Sequence, residues 1–350
     1  MDECDVLIVG GGPAGSSCAW ALRNSGLDVV ILDQHIFPRD KICGGWITPA
    51  VLEQLEIDPS EYASQHLLQP ITSFRVGRIG GRAVETAYGK PVSYGIRRRE
   101  FDHYLLKRST ARLLLGKPLT SLTRTAHHWL ANNQIRAGIV IGAGGHFCPV
   151  ARLVGNKKPA EPAVVAQEIE FEMDPAQQSA CRVQSEMPEL YFCSDMKGYG
   201  WCFRKGSVMN IGLGRADPHT LTAYVADFLR FLKSTGRIAF DVPPMRGHAY
   251  LLQGTSTRTI VGDGVLLIGD AAGLAYPQSG EGIRPAVDSG LSAANDIRAN
   301  RLSAYSTHKP QPWRHIPTAI ITPAARLLLT THWFVRNVVL NTWFLNRDGA

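Results

Sequence analysis

Two short runs of the sequence carry residue types whose spacing suits a ligand rich in phosphate. Gly10, Gly12 and Gly15 stand as G-x-G-x-x-G, with Pro13 and Ala14 between the last two. In this spacing the first glycine allows a tight turn after a strand. The second lets backbone approach a pyrophosphate, and the third lets helix and sheet pack closely. A helix starting here offers free N–H groups and the positive end of its dipole to phosphates. Asp33 places a carboxylate where it can accept from ribose hydroxyls. The second run is Gly264-Val265-Leu266-Leu267-Ile268-Gly269-Asp270-Ala271-Ala272-Gly273, followed by Ser279-Gly280-Glu281-Gly282-Ile283. A nicotinamide dehydrogenase has no need of a second such strand end. FAD does, because its ribityl chain and flavin lie far from the adenosine. Asp270 can hydrogen-bond a ribityl hydroxyl, and the amides near Gly280, Gly282 and Ile283 can stabilise the negative charge of a reduced flavin.

The elements that must position these residues follow from hydrophobic patterning. Residues 5–9 read as a buried parallel strand, 16–24 as a helix stopped by Gly26, and 29–32 as a second strand ending at Asp33. That is a β-α-β unit. Residues 135–141 and 265–268 are further buried strands, the former ending in Gly142-Ala143-Gly144-Gly145, and 281–297 is a helix. Residues 94–96 form a short strand and 98–115 a helix. Between residues 164 and 213 the alternation predicts antiparallel strands at 164–173, 190–193, 201–203 and 208–213. An amphipathic helix follows at 221–233. The fold class is α/β: a Rossmann-type FAD-binding domain from residues 1–70, 97–160 and 258–300. An antiparallel-sheet substrate domain from 71–96 and 161–257 is inserted behind a linker at 159–162. A helical segment, 301–350, closes the chain.

Together with Arg98-x-x-Phe101-Asp102, the two glycine-rich motifs resemble the large flavoprotein family of aromatic hydroxylases, squalene epoxidases, halogenases and geranylgeranyl reductases. Three segments resemble the geranylgeranyl reductase branch: Pro38-Arg39-Asp40-Lys41-Ile42-Cys43-Gly44-Gly45, Gly198-Tyr199-Gly200-Trp201-Cys202-Phe203-Arg204-Lys205-Gly206 with Asn210-Ile211-Gly212-Leu213-Gly214, and Ser279-Gly280-Glu281-Gly282-Ile283. The resemblance covers residues 1 to about 300. It implies that Arg39, Cys43, Gly44, Gly45, Arg98 and Gly144 join the cofactor site. Tyr199 and Trp201 alternate with Gly200 and Cys202 on a strand and can line a flat substrate wall, with ordinary sheet packing as the equal alternative. The sequence departs from the pattern at Gly144, where the family often has Asp, and at Arg204, where the branch usually has Pro. The second departure puts a charge near the substrate sheet.

Cys43 lies near Lys41, and a neighbouring cation favours thiolate. It is the candidate catalytic residue, tuning the flavin or donating a proton; the other reading is a small buried residue that permits close approach. Arg98 is expected to contact the cofactor, while Arg97 and Arg99 read as a solvated face. Glu281 and Arg284 can form an intrahelical pair.

Composition bounds the partners. The 350 residues carry 37 Lys and Arg against 30 Asp and Glu, a formal charge of +7. This mild excess favours phosphorylated cofactors or lipid headgroups, and it forms no basic stripe suited to nucleic acid. Seven cysteines without C-x-x-C, and eleven scattered histidines, predict no metal site. No signal peptide and no run of about 20 uncharged apolar residues is seen, so a cytoplasmic protein is expected. The apolar tail at 324–345, with Trp333, Trp343 and several arginines, reads either as a helix closing the catalytic domain or as a peripheral membrane contact.

The resemblance implies an FAD-dependent oxidoreductase that reduces C=C bonds of an apolar or isoprenoid small molecule. The alternative is a monooxygenase or tailoring enzyme acting through a flavin hydroperoxide. No second complete dinucleotide motif is present, so NAD(P)H is expected at most as a transient electron donor.

Overall fold

The computed structural model describes residues 1–155, 163–256, 258, 261–302, 305 and 328–345. The expected linker at 159–162 and residues 324–327 of the tail lie outside them. The chain divides into two compact units. The first comprises Met1–Asp40, Arg99–Ala163 and Tyr250–Pro310; the second comprises Lys41–Arg98, Val164–Ala249 and Gln311–Ala350.

The first unit is built on a sheet with strands in the order Val261–Gly262, Val265–Leu267, Ile135–Gly142, Asp2–Val9, Val29–Asp33 and Arg112–Leu115. All neighbours run parallel except the first pair, and the hairpin Leu122–Arg124 with Trp129–Ala131 joins antiparallel to Ile135–Gly142. The strand Asp2–Val9 shows why a continuous apolar run was needed: Leu7 and Val9 pack into one core, Val6 and Ile8 into the other. Burying each such side chain contributes roughly 1.5–3 kcal/mol. The helices Pro13–Leu22 and Ile283–Arg298 lie against each other through small residues. A Cβ on Gly290 would run into the backbone at Ala14 and lie 3.1 Å from the Cys18 nitrogen.

One expected element is corrected. The helix predicted over 98–115 ends at Arg108, and Arg112–Leu115 is a strand paired with Val30–Asp33. The Ser109 hydroxyl donates to the Leu106 carbonyl, and Thr110 takes a φ of +55°, which stops the helix. The leucine run beyond it, which suits either structure, is then claimed by the open sheet edge.

The second unit carries a seven-stranded sheet in the order Arg246–Leu251, Ala163–Glu172, Val208–Arg215, Gly198–Lys205, Glu189–Phe192, Ser73–Arg78 and Ala83–Ala87. The pairing of Glu189–Phe192 with Ser73–Arg78 is parallel. A small sheet of Trp46–Ile47, Ser93–Ile96 and Leu68–Ile71 accompanies it. One face of the large sheet, with Cys202, Met209, Ile211 and Leu213, packs on the helix Leu221–Ser234 through Val225, Phe228 and Leu232. In the tail, Val335–Phe344 forms a wide helix in which the Leu345 N–H donates to the Leu340 carbonyl. Tyr88 donates to Asn341 and Arg336 donates to the Ala87 carbonyl, which fasten this helix to the second unit.

The close fit at Gly200 yields a stability prediction. A Cβ there would stand 2.7 to 2.8 Å from the buried Phe228 ring. Gly200→Ala is expected to destabilise the protein by about 1–3 kcal/mol, measured as a lowered urea midpoint with an unchanged slope.

Candidate functional site

In the first unit, strand register brings the glycine-rich turns to one level. Val9 pairs with Leu32 on one side and Gly142 on the other, and Gly142 pairs with Leu267. Gly10, Asp33, Ala143-Gly144 and Ile268-Gly269-Asp270 therefore all emerge at the carboxyl edge of a parallel sheet, the position where open α/β sheets bind ligands. Gly10 has a φ of +116°, and a Cβ would strike the Ala143 carbonyl. Gly15 is pressed against the Gly10 carbonyl. Gly12 differs: the single atom near its missing Cβ is Arg39 Nη2, at 3.6 Å. Gly12 caps a helix with Pro13 at the first turn and no side-chain cap, which leaves the amides at Ala14 and Gly15 available to an anion.

Two carboxylates arrange this turn. Asp33 is buried and accepts from the Gly11 N–H at 2.7 Å and the His35 N–H at 2.8 Å. Asp102, fully buried, pairs with Arg39 at 3.3 Å, and the Arg39 guanidinium lies over the Phe37 ring. The Asp of the Arg98-x-x-Phe101-Asp102 motif thus holds a cation beside Gly12. A pyrophosphate fits there: there is room at Gly12, a cation next to it and uncapped amides behind.

At the second motif, Gly269 takes a φ of +59° and donates to Ser289 Oγ at 2.9 Å. A Cβ on Gly282 would lie 3.0 Å from Asp270 Oδ1, so the Asp270 carboxylate sits against the uncapped start of Ile283–Arg298. Gly280 abuts the Tyr250 hydroxyl, and Gly144 packs on Pro149 and Cys148. Burial pushes the Glu281 carboxyl up to about 8 against the pull of Arg284. Arg258, which the sequence reading passed over, donates to the Ala271 carbonyl at 2.8 Å and steadies this turn.

In the second unit, register decides what shares a face. Trp201 pairs with Gly212 and Gly212 with Glu168; Phe203 pairs with Asn210 and Asn210 with Glu170; Tyr199 pairs with Gly214. Cross-strand partners point the same way. Tyr199, Trp201 and Phe203 therefore form a wall with Glu168 and Glu170 on the face opposite Leu221–Ser234. The segment Cys43-Gly44-Gly45 lies on that wall. Asn210 accepts from Trp201 Nε1 at 2.7 Å and donates to the Cys43 carbonyl at 3.1 Å. A Cβ on Gly44 would touch the Phe203 ring at 3.4 Å. Phe344 meets Tyr199 edge-on and stacks on Trp46, whose ring is edge-on to Phe203.

Several polar groups here are paired. Lys205 is buried, donates to the Ile96 carbonyl and pairs with Glu170 at 2.6 Å. Cys43 Sγ accepts from the Gly45 N–H at 3.5 Å. Arg98 is 8% exposed, whereas the Arg97 and Arg99 side chains are 34% and 51% exposed. Burial pushes His248 down to about 4, and Lys41 and Arg98 add to this. Asn210, Lys205 and Glu168 were missed in the sequence, because strand alternation does not say which polar face is covered. Among the described residues, no His, Cys, Asp or Glu cluster suits a metal.

Comparison with known proteins agrees with this geometry. Residues 8–70 match the model of the NAD(P)-binding Rossmann-like domain. A menaquinone reductase of Mycobacterium tuberculosis is 30% identical over 333 residues, covering 86% of this chain and 78% of that protein. A digeranylgeranylglycerophospholipid reductase of Methanocaldococcus jannaschii is 26% identical, covering 83% and 76%. The chain belongs to the geranylgeranyl reductase-like branch of the FAD-dependent oxidoreductases. A solved geranylgeranyl bacteriochlorophyll reductase-like protein of Thermoplasma acidophilum shares its fold, with a TM-score of 0.73 at 22% identity over 94% of this chain and 88% of that one. This member of the branch has a Rossmann-like FAD-binding domain. No helix among the described residues is long and apolar enough to cross a membrane.

Two cofactor predictions follow from the first unit of this reductase-like flavoprotein. Gly12→Val fills open space rather than protein, so the variant should fold yet bind no FAD, as read from the flavin absorbance of purified protein. Asp270→Ala should weaken FAD by roughly 1.5–3 kcal/mol, the value of a hydrogen bond to a charged group. Titration of FAD into the apoprotein measures it.

Proposed function

We propose that this protein reduces carbon–carbon double bonds of a polyprenyl lipid or quinone, with FAD as its cofactor. The observation that carries the reading is the row of aromatic rings of Tyr199, Trp201 and Phe203 on one sheet face, with glycines opposite Tyr199 and Trp201. The names of the relatives support the same substrate class. Gly10, Gly12 and Gly15, with the amides at Ala14 and Gly15 behind Pro13 and the Arg39 guanidinium, would hold the pyrophosphate. Asp33 would hold the ribose, and Asp270 the ribityl chain. The amides at Gly280, Gly282 and Ile283 would face the electron-rich edge of the flavin ring, with Gly144 and Gly269 shaping the turns. Bound and reduced, FAD supplies the hydride. Arg98, Cys43, Gly44 and Gly45 are proposed as cofactor residues on the family resemblance. A nicotinamide nucleotide is the proposed electron donor, docking transiently.

The experiment is anaerobic. Holoenzyme is reduced with dithionite, or with NADH or NADPH to test the donor, and mixed with menaquinone or digeranylgeranylglycerophospholipid in detergent micelles. The product is expected to gain hydrogen atoms that survive exposure to air, as a hydroquinone's would not. Incorporation of labelled dioxygen under aerobic conditions, without such hydrogenation, would replace the reductase reading with a monooxygenase.

A further inference from the structure

Glu168 stands on the wall of the second unit and, unlike Glu170 on the same face, has no hydrogen-bond partner. It is 1% exposed, lies across from Gly212, and has its stem beside the Trp201 ring, in the space that a side chain on Gly212 would fill. Neither of its carboxylate oxygens has a hydrogen-bond partner. Glu170, two residues further on the same face, is paired with Lys205. A buried carboxylate without hydrogen bonds is costly, whereas a neutral acid is far less so. An unpartnered acid beside an aromatic wall is placed to act on whatever lies against that wall.

We propose that Glu168 is the acid that protonates the substrate in the reduction assigned above. The assignment rests on the reductase reading. The balance is simple. The π bond of the alkene breaks, one carbon gains hydride from the reduced flavin, and the other gains the Glu168 carboxyl proton. The flavin is left oxidised and Glu168 is left as a carboxylate, which takes a proton from water before the next turnover. Burial pushes the carboxyl up to about 8, and Glu170 adds to this, while Lys205, Lys41 and Arg98 oppose it. Glu168 therefore carries its proton near neutral pH, and the same three cations stabilise the carboxylate once the proton has left. His248, which also faces Lys41 and Arg98, is held neutral and does not add to that positive field. Cys43 Sγ, the sequence's own candidate for the donor, accepts from the Gly45 N–H and keeps its own S–H, so the two candidates are separated by experiment.

The test compares full-length, FAD-loaded wild type with Glu168→Gln, which keeps shape and neutrality and so should fold. Each protein is reduced with dithionite and mixed anaerobically with menaquinone, and in parallel with digeranylgeranylglycerophospholipid, in detergent micelles. Double-bond reduction is expected to slow at least about 100-fold in the variant, the range for loss of a general acid. The wild-type rate should fall as pH rises through about 8, and the variant should lack that limb. An independent readout needs no substrate: the infrared difference between wild type and variant should show a protonated carboxyl near neutral pH that disappears above about 8. Absence of that carboxyl band overturns the assignment. So does a variant with near wild-type rate and an intact limb, or a limb removed by Cys43→Ser instead. If wild type hydrogenates neither probe, the reductase reading falls and the catalytic role falls with it; an active wild type with an unaffected variant removes Glu168 alone.

Discussion

The first unit depends on a shared register. Because Leu32, Val9, Gly142 and Leu267 lie in one row across the sheet, the turns that follow them must crowd into the same small region. Crowding of that kind is tolerable where a side chain is missing. Gly10 and Gly15 have no Cβ because neighbouring backbone takes that space, and Gly290 lets two helices whose starts face the same edge lie in contact. Once the turns are that close, two buried carboxylates set their details: Asp33 fixes the Gly11 amide, and Asp102 fixes Arg39. Gly12 is left with open space and a cation beside it. A phosphate-rich cofactor is what such an arrangement of amides, charge and room accommodates.

The second unit uses missing side chains for a different end. Gly212 lies beneath the Trp201 ring, and Gly44 and Gly45 let a loop settle against Phe203, Lys205 and the Ile96 carbonyl. The result is an aromatic surface on which several polar atoms are tied to one another. Asn210 ties Trp201 to the Cys43 carbonyl, and Lys205 ties Glu170 to Ile96. The tail reinforces this from its own side through Phe344 and Asn341, while Trp333 at its beginning stays 69% exposed. On the same face Glu168 differs from Glu170 in having both carboxylate oxygens without a hydrogen-bond partner.

The sequence by itself determined the nucleotide fold. A G-x-G-x-x-G between an apolar run and a helix, with Asp33 and later Gly269-Asp270, leaves little choice, because local geometry and close backbone approach admit few other residues. It also determined the family, through segments quoted residue by residue. It misread the leucines at 112–115, since an apolar run after a helix suits helix or strand and the sheet edge that claims it comes from residues 29–33. It could not assign Asp102, whose meaning lies in Arg39, more than sixty positions away. Above all, the alternation of Glu168, Ile169, Glu170 and Phe171 fixed which residues share a face but left open which face is wet. The tertiary structure decided that, because the chain that covers Glu168 and partners Glu170 comes from distant strands and loops, and burial of a charge is a property of what surrounds it.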